Sequence, residues 1–323
     1  MERRALGRSG IEVTRVILGC GNFGGIGSAP AFFGRGETEE KALAIMDAAW
    51  GLGIRTFDTA DAYGGGRSER AIGRWLRDDG RRDELTLTTK VFHSVEGDPA
   101  DFGLAPERIR RQIPGSLERL GVERVELYVI HEPDPATPVE ATLEELTRLV
   151  ESGVVGAVGA SNVDGPYLAE ALEVSERRGL ARFEWVQNSY SLLDREAERE
   201  VLPLCAEHGL GFTPFSPLAG GWLAGRYRRG EAPPEGSRLA TRPGPYAAYD
   251  EERVYAGVDR LAGDAARRGI PTAALAYAWL FSHPQVDGIV VGPRRPAHLQ
   301  PAVDGLAVDL DARERDDVAG YFA

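Results

Sequence analysis

Short apolar segments alternate with helical patterns along almost the whole of this 323-residue chain. Eight of these segments have the length and bounding residues of buried β-strands. Such alternation predicts a parallel sheet, and eight units in a chain of this length favour a closed (β/α)8 barrel over an open doubly wound sheet. The strand candidates are residues 16–18, 55–58, 85–91, 125–131, 154–160, 185–188, 211–215 and 288–291.

Helical candidates occupy most of the intervals between these strands. The first begins after Thr38, which can cap a helix, and Leu43, Met46 and Trp50 then recur at helical spacing until Gly51. We predict that the whole chain forms one α/β domain of the TIM-barrel type. The remaining helical candidates are residues 68–78, 106–120, 139–152, 165–178, 195–208, 272–282 and 296–304.

Two segments lie outside the alternating pattern. Residues 3–18 have the pattern of a β-hairpin, which we expect to close the bottom of the barrel. Residues 218–251 are rich in Gly, Pro and Arg and lack a clear period. A long loop inside a compact domain usually has a function. We therefore predict that residues 218–251 extend over the catalytic face and cover a cofactor or a substrate.

The segment Gly19-Cys-Gly21-Asn-Phe-Gly24 has the G-x-G-x-x-G spacing of dinucleotide-binding loops. That fingerprint requires its third glycine to open a helix. Residues 25–36 contain further glycines and a proline, a composition that does not form a helix. The sequence therefore argues against a Rossmann domain.

Composition restricts the partners and the compartment. A net charge of −12 argues against nucleic acid or an anionic membrane, because phosphate binding requires clustered cations. Only two cysteines occur, Cys20 and Cys205, which suits a reducing compartment. There is no apolar segment typical of a signal peptide or a membrane span. We expect a cytoplasmic protein that acts on a small molecule; these features predict no oligomeric state.

Polar residues end six successive strands, from the second to the seventh. In a barrel these strand ends lie on one rim, where active sites are found. Tyr63 follows Asp58 by five residues, in a glycine-rich turn that can face the same pocket. The strand-end residues are Asp58, Lys90, His131, Ser161 with Asn162, Gln187 with Asn188, and Ser216.

These residue types can donate a proton to a carbonyl oxygen. A tyrosine has a pKa of about 10 in water, and a nearby lysine cation stabilises the phenolate and lowers that value. Asp58 would keep Lys90 charged, and His131 would hydrogen-bond the substrate oxygen or relay the proton. Because side chains supply no hydride, a nicotinamide cofactor is required. Ser161, Asn162 and Gln187 could bind its carboxamide, and Phe215 could stack on the ring.

Two hydrolytic mechanisms fit less well. Metal-assisted hydrolysis needs several converging His and carboxylate ligands, and the five histidines include no His-x-His or His-Glu-x-x-His spacing. We therefore predict no metal site. A glycosidase needs two facing carboxylates, and beside Asp58 only Glu132 or Asp134 is suitably placed.

At these residues the chain resembles the aldo-keto reductase family, over nearly its whole length. The matching motifs are Phe57-Asp-Thr-Ala-Asp-Ala-Tyr63-Gly64, Leu87-Thr-Thr-Lys90-Val, Leu127-Tyr-Val-Ile-His131, Gly159-Ala-Ser161-Asn162, Val186-Gln187-Asn-Ser-Tyr190 and Phe215-Ser216-Pro217-Leu218. The resemblance implies NADPH-dependent reduction of aldehydes or ketones, with a catalytic tetrad of Asp58, Tyr63, Lys90 and His131. Tyr63 would be the proton donor.

The resemblance also implies that NADP(H) lies extended across the barrel mouth. Substrate contacts are expected from Phe23, Tyr63, Phe92 and His131. The expected cofactor contacts are Gly21, Asn22, Phe23, Asp58, Ser161, Asn162, Gln187, Phe215, Ser216, Pro217, Leu218, Gly220, Arg226, Gly292, Arg294 and His298.

The chain departs from the family pattern after the last strand. Arg294 suits a contact with the adenosine 2′-phosphate, because a guanidinium matches phosphate oxygens. His298 replaces the family's usual Gln or Arg, and Pro301-Ala302 replaces a Glu-Asn pair that bonds adenine. We expect NADP(H) to be preferred over NAD(H), with weaker binding than is usual for the family.

A second hypothesis follows from the same resemblance. The fold also serves as a regulatory subunit of ion channels, and such subunits can retain the four tetrad residues, so the tetrad does not separate the two hypotheses. A nicotinamide-binding, redox-sensing module without significant turnover is therefore the alternative to an enzyme. Consumption of NADPH with generic aldehydes would distinguish the two.

Overall fold

A computed structural model of the chain describes residues 1–78 and 80–323. In these ranges the strands are β1 (Arg3–Ala5), β2 (Glu12–Thr14), β3 (Val16–Gly19), β4 (Thr56–Asp58), β5 (Thr86–Val91), β6 (Val125–Ile130), β7 (Val155–Ser161), β8 (Phe183–Gln187), β9 (Gly211–Phe212) and β10 (Ile289–Val291). Eight of them form one parallel sheet in the order β10-β3-β4-β5-β6-β7-β8-β9, and β1 and β2 form an antiparallel hairpin.

The sheet closes between β9 and β10. The amide of Asp287 donates to the carbonyl of Phe212 at 3.0 Å, and that of Val290 donates to Pro214 at 2.9 Å. Strand β9 is shorter than the expected 211–215, because Pro214 has no N–H to continue the ladder. The predicted (β/α)8 barrel is confirmed.

The hairpin of β1 and β2 closes the bottom of the barrel, as expected. Leu6, in the turn after β1, and Val13, in β2, are buried in one cluster with barrel residues that include Leu127 and Trp185. A β-carbon added to Gly211 would lie 2.7 Å from the Leu6 side chain. The strand therefore needs a glycine where the hairpin packs against it.

The helices cover the outside of the sheet, and their N-terminal signals agree with the sequence in several places. The predicted ranges for α3 and α5 match the structure, and Thr38 accepts a hydrogen bond from the amide of Lys41 at the start of α1. In the described ranges the helices are α1 (Glu39–Gly51), α2 (Arg67–Trp75), α3 (Pro106–Leu120), α4 (Val139–Glu151), α5 (Gly165–Arg178), α6 (Val201–His208), α7 (Arg238–Thr241), α8 (Glu252–Arg268), α9 (Thr272–Phe281), α10 (Gln300–Leu306) and α11 (Ala312–Ala319).

Other elements differ from the prediction. The candidate at 195–208 is a 3₁₀ turn, Glu196–Glu198, followed by the shorter α6, and the candidate at 296–304 is a 3₁₀ turn, Pro296–His298, followed by α10. Helices α8 and α11 were not expected. Of the helices in the described part of the chain, none is long and apolar enough to cross a bilayer.

Candidate active site

The ends of β4 and β5 bring a carboxylate and an ammonium group into direct contact. The two strands pair in parallel, with Asp58 opposite Thr88, so Lys90 follows two residues further along the same edge. Lys90 Nζ donates to Asp58 Oδ1 at 2.6 Å and to the carbonyl of Thr59 at 2.9 Å. Both side chains are almost fully buried. Buried charges persist when they are paired in this way.

Tyr63 joins this pair from the turn that follows β4. Lys90 Nζ lies 3.4 Å from Tyr63 Oη and 5.0 Å from the centre of its ring. The next residue, Gly64, has φ = +61°, and a β-carbon there would lie 2.7 Å from the carbonyl oxygen of Phe23. The close approach of these two loops therefore requires a glycine directly after Tyr63.

His131 follows β6 and faces the tyrosine. Its ring centre lies 5.4 Å from that of Tyr63 and 4.9 Å from that of His93. Asn162 donates to the His131 carbonyl at 2.9 Å. Within the described residues His131 Nδ1 is buried without a hydrogen-bond partner. An unpaired buried nitrogen is costly unless a ligand satisfies it.

The amide residues after β7 and β8 fix the other side of the site. Gln187 Nε2 donates to Asp58 Oδ2 at 2.9 Å, so both oxygens of Asp58 are bonded. Ser161 Oγ donates to the carbonyl of Gln187 at 2.7 Å. Asn162 has φ = +54°, and its Nδ2 also donates to Ser161 Oγ at 3.1 Å. These bonds connect the ends of β4, β7 and β8.

The pKa values of Tyr63, Lys90 and His131 are shifted by burial and by the charges around them. Burial raises the pKa of Tyr63, and Lys90 opposes this effect without cancelling it. The net direction is opposite to the lowering expected from the sequence. Burial alone lowers the pKa of Lys90, but attraction to Asp58 and Tyr63 outweighs it and the pKa is raised. Burial, Lys90 and His93 together hold the pKa of His131 well below its usual value. At neutral pH the phenol is protonated, the lysine charged and the imidazole neutral.

Two cavities meet at Tyr63. The first, of about 850 Å³, is lined by Tyr63, His131, Asn162 and Phe215 among others, and we name it the outer cavity. Several of its lining residues were not among the predicted site residues: His93, Glu132, Arg242, Tyr246 and Tyr249. The last three belong to the 218–251 segment that was expected to extend over the catalytic face.

Two predicted substrate contacts do not line the outer cavity. Phe23 has no exposed surface, and its backbone forms an isolated bridge with Glu37. Phe92 is buried and its ring packs against those of His93 and Phe102. In the part of the chain that the structure describes, both rings belong to the hydrophobic core.

The second cavity, of about 750 Å³, extends from Asp58 and Tyr63 along the barrel mouth, and we name it the long cleft. It shares Tyr63, Gln187, Phe215 and Ser216 with the outer cavity. Most of the predicted cofactor contacts lie on its wall. They are Gly21, Asn22, Asp58, Gln187, Phe215, Ser216, Pro217, Leu218, Gly220, Arg226, Gly292, Arg294 and His298.

Residues of the 218–251 segment form one side of the long cleft. Gly220 has φ = +68°, and a β-carbon there would lie 2.7 Å from the ring of Tyr246. Arg238 donates to Asn22 Oδ1, and Asn22 Nδ2 donates to the carbonyls of Gly292 and Pro293 at 3.2 and 3.3 Å. Asn22 therefore connects the loops that follow β3 and β10 with the segment before α8.

Comparison with known proteins agrees with this arrangement. The sequence model described as "Aldo/keto reductase family" matches residues 15–320. The chain belongs to the aldo-keto reductase family. It is 36% identical to "Uncharacterized oxidoreductase YrpG" of Bacillus subtilis, over 96% of this chain and 93% of that protein. It is 33% identical to "Probable voltage-gated potassium channel subunit beta" of Oryza sativa subsp. japonica, covering 95% and 92%. It is 32% identical to "Versiconal hemiacetal acetate reductase" of Aspergillus parasiticus, over 97% of this chain and 95% of that protein.

In this aldo-keto reductase the far end of the long cleft opens into a third cavity of about 360 Å³, which we name the terminal cavity. The two share Arg226, Arg294, Arg295 and His298, and the terminal cavity adds Glu37 and Lys41. Arginine side chains suit the phosphates of a dinucleotide. The long cleft and the terminal cavity therefore fit the nicotinamide cofactors that the family generally binds.

Glu37 is the residue of this region that sequence reasoning missed. It lies just before the helix cap Thr38, in a glycine-rich stretch without periodicity, so no pattern indicates where its side chain points. The structure places its Oε1 2.7 Å from Arg294 Nε. An acidic side chain therefore contacts the arginine expected to bind the 2′-phosphate.

Proposed function

We propose that this protein reduces aldehydes or ketones to alcohols with NADPH as the reductant and Tyr63 as the proton donor. The observation that carries the proposal is the Lys90 ammonium, held by Asp58 at 2.6 Å and lying 3.4 Å from the phenol of Tyr63. This group lies where the outer cavity meets the long cleft. A carbonyl compound in the outer cavity and a nicotinamide in the long cleft would meet beside the phenol of Tyr63.

When bound, a reduced nicotinamide supplies the hydride that the side chains lack. Tyr63 Oη donates its proton to the substrate oxygen, which gains negative charge as the carbonyl is reduced. Lys90 stabilises the phenolate that remains, and Asp58 keeps the ammonium group in position. His131, which is neutral, is available to hydrogen-bond the same oxygen and position it beside Tyr63.

The residues proposed to hold the cofactor fall into three groups. At the nicotinamide end, Gln187 and Phe215 line both the long cleft and the outer cavity. Ser161 and Asn162 line the outer cavity and would reach the carboxamide from that side. Ser216, Pro217, Leu218 and Gly220 border the centre of the long cleft. Arg226, Arg294 and Arg295 favour a phosphorylated adenosine, which supports NADP(H) over NAD(H).

Unpaired, buried Cys20 and Cys205 are consistent with a reducing compartment, and we propose a cytoplasmic location. The proposed partner is a small carbonyl compound. Residues 1–323 are proposed to act as one domain, with residues 218–251 over the catalytic face.

Replacing Tyr63 with Phe tests the central role. The expected result is a fall in kcat of roughly 10²–10⁴-fold, the usual contribution of a positioned general acid. The dissociation constant for NADPH, measured by fluorescence titration, should change little. Tyr128→Phe is the control for removing a buried hydroxyl: unlike that of Tyr63, the Tyr128 hydroxyl has no hydrogen-bond partner within the described residues. Turnover by Tyr63→Phe at the rate of this control would remove Tyr63 from the mechanism.

The second candidate is a nicotinamide-binding regulatory subunit. Its support is that relatives from Oryza sativa subsp. japonica and Arabidopsis thaliana, at 33% and 32% identity, are called probable voltage-gated potassium channel subunits beta. The purified protein with NADPH and a panel of generic aldehydes separates the two candidates. NADPH binding without measurable consumption would favour the regulatory subunit.

A further inference from the structure

Glu37 is a buried carboxylate on the wall of the terminal cavity. Its side chain is 5% exposed, whereas that of Arg294 is 32% exposed. Its Oε1 accepts from Arg294 Nε at 2.7 Å, and its Oε2 lies 3.4 Å from Lys41 Nζ. Arg294 also donates to the carbonyl of Gly236. The guanidinium is thus engaged from two sides, one of them acidic.

The backbone holds Glu37 in this position. Its amide donates to the carbonyl of Asn22 at 2.7 Å, and its carbonyl accepts from the amide of Gly24 at 2.9 Å. A β-carbon on the preceding Gly36 would lie 2.1 Å from the carbonyl of Gly25. The tight turn therefore fixes the backbone position of Glu37. A rotation of its side chain away from the cavity would break the ion pair with Arg294.

The charges around the terminal cavity are mostly positive. Arg226, Arg294 and Arg295 contribute positive charge, as does the more exposed Lys41. Glu37 opposes them with a single negative charge. Burial and the three arginines lower the pKa of His298, so this residue adds no positive charge at neutral pH. A phosphate dianion in the terminal cavity would gain from the arginines and lose from the carboxylate. Ribose hydroxyls, in contrast, can donate hydrogen bonds to a carboxylate.

We propose that Glu37 determines cofactor specificity by limiting the preference for a 2′-phosphorylated dinucleotide. It holds Arg294 in an ion pair and repels the 2′-phosphate, while remaining compatible with a dinucleotide that carries free ribose hydroxyls. The inference rests on the proposed function, because it assumes that a nicotinamide dinucleotide binds in the long cleft.

Glu37→Gln is the sharpest test, because the amide oxygen can still accept from Arg294 while the charge is removed. The dissociation constants of NADPH and NADH, and of the fragments 2′,5′-ADP and 5′-ADP, are measured by titration without turnover. The variant should bind NADPH and 2′,5′-ADP roughly tenfold more tightly, the scale of removing one partly screened repulsion between like charges. NADH and 5′-ADP should bind as in the wild type or more weakly.

Glu40→Gln is the matched control. It makes the same change of charge at an exposed position in the first turn of α1. All four dissociation constants should stay within about twofold of the wild-type values, since exposed charges outside the cavity are screened.

Two results would overturn the inference alone. Weaker NADPH binding by Glu37→Gln would show that the carboxylate positions Arg294 for the phosphate, and equal changes for both dinucleotides would show no role in specificity. A wild-type protein that binds neither dinucleotide would overturn the proposed function, and this inference with it.

Discussion

The two ends of the long cleft are built differently. At the reaction end, the side chains of Lys90 and Asp58 are 1% and 3% exposed, and each comes from the end of a strand. At the other end, where we propose that the adenosine binds and which we name the adenosine end, the side chains of Arg294 and Lys41 are 32% and 66% exposed. Arg294 follows β10 in a loop. The reaction end therefore depends on the barrel, whereas the adenosine end depends on loops and screened charges.

This difference predicts which property a substitution at each end should change. Removing one partner of a buried ion pair leaves an uncompensated charge, so the free energy of unfolding and the catalytic rate should both fall. Partly exposed pairs contribute little to stability. Changes at the partly exposed cations of the adenosine end should therefore alter which cofactor binds and leave proton transfer intact.

The largest effect is expected for Lys90→Met. It leaves Asp58 buried without its cation, which should lower the free energy of unfolding by roughly 3–5 kcal/mol. It should also lower kcat by at least 10²-fold, since nothing then stabilises the phenolate of Tyr63. Urea denaturation and steady-state kinetics measure the two effects.

The double variant Asp58→Asn/Lys90→Met separates charge from packing. With both charges gone, most of the lost stability should return, while activity stays low. The asparagine introduced by Asp58→Asn can still accept the hydrogen bond of Gln187, so the neighbouring contact is kept. A double variant as unstable as Lys90→Met alone would mean that packing, and not the ion pair, holds this end together.

Arg294→Gln should have the next largest effect. The dissociation constant for NADPH should rise roughly 10–100-fold, the loss of one charge-assisted contact to a phosphate, while that for NADH changes little. Arg260→Gln, at an exposed position of α8, is the control and should leave both constants unchanged. Equal weakening of both cofactors would mean that Arg294 contacts a part that the two share.

The residues of the reaction end were predictable from the sequence. Asp58, Lys90 and His131 each end an apolar segment of the regular alternation, and parallel pairing of neighbouring strands brings such ends to one rim. The order of the strands is enough to place these three side chains on one rim, and the conformations of the loops are not needed for this inference. The raised pKa of Tyr63 was not predictable in the same way, because the extent of burial depends on the loops above the rim.

The adenosine end was only partly predictable. Arg294 was indicated by its position after the last strand, but the acid that contacts it was not. Glu37 lies in the loop before α1, and Arg238 is the first residue of α7, a helix of four residues. Neither segment is long enough for a period to indicate side-chain direction. For α8 a signal was present: Val254, Val258, Leu261 and Ala265 recur at helical spacing and are buried.

A smaller effect is expected from Pro301→Glu. Pro301 lines the long cleft in the first turn of α10, where a carboxylate suits the positive helix end. The new side chain offers an acceptor to adenine, so both cofactors should bind about two- to fivefold more tightly, with an unchanged ratio. Pro301→Ala measures the cost of removing the ring alone. A changed ratio would show that this position acts on the 2′-phosphate.

The smallest effect concerns pH, because the reaction end should not respond to it near neutrality. Reduction needs a proton on Tyr63, whose pKa lies above its usual value, so the rate should fall only at strongly alkaline pH. His131, with its pKa well below the usual value, stays neutral around neutral pH. The single-turnover rate of NADPH oxidation at saturating aldehyde should therefore vary less than about twofold between pH 6 and 8.

Salt should act on the adenosine end instead. Raising the ionic strength from about 0.05 to 0.5 M should weaken NADPH binding several-fold and leave that single-turnover rate unchanged, since screening reaches exposed arginines and not a buried pair. A rate that falls tenfold per pH unit above pH 6 would mean that the proton donor has a pKa of about 6, which excludes a tyrosine. A rate that follows salt as binding does would mean that the reaction end is open to solvent, and the contrast between the two ends would be lost.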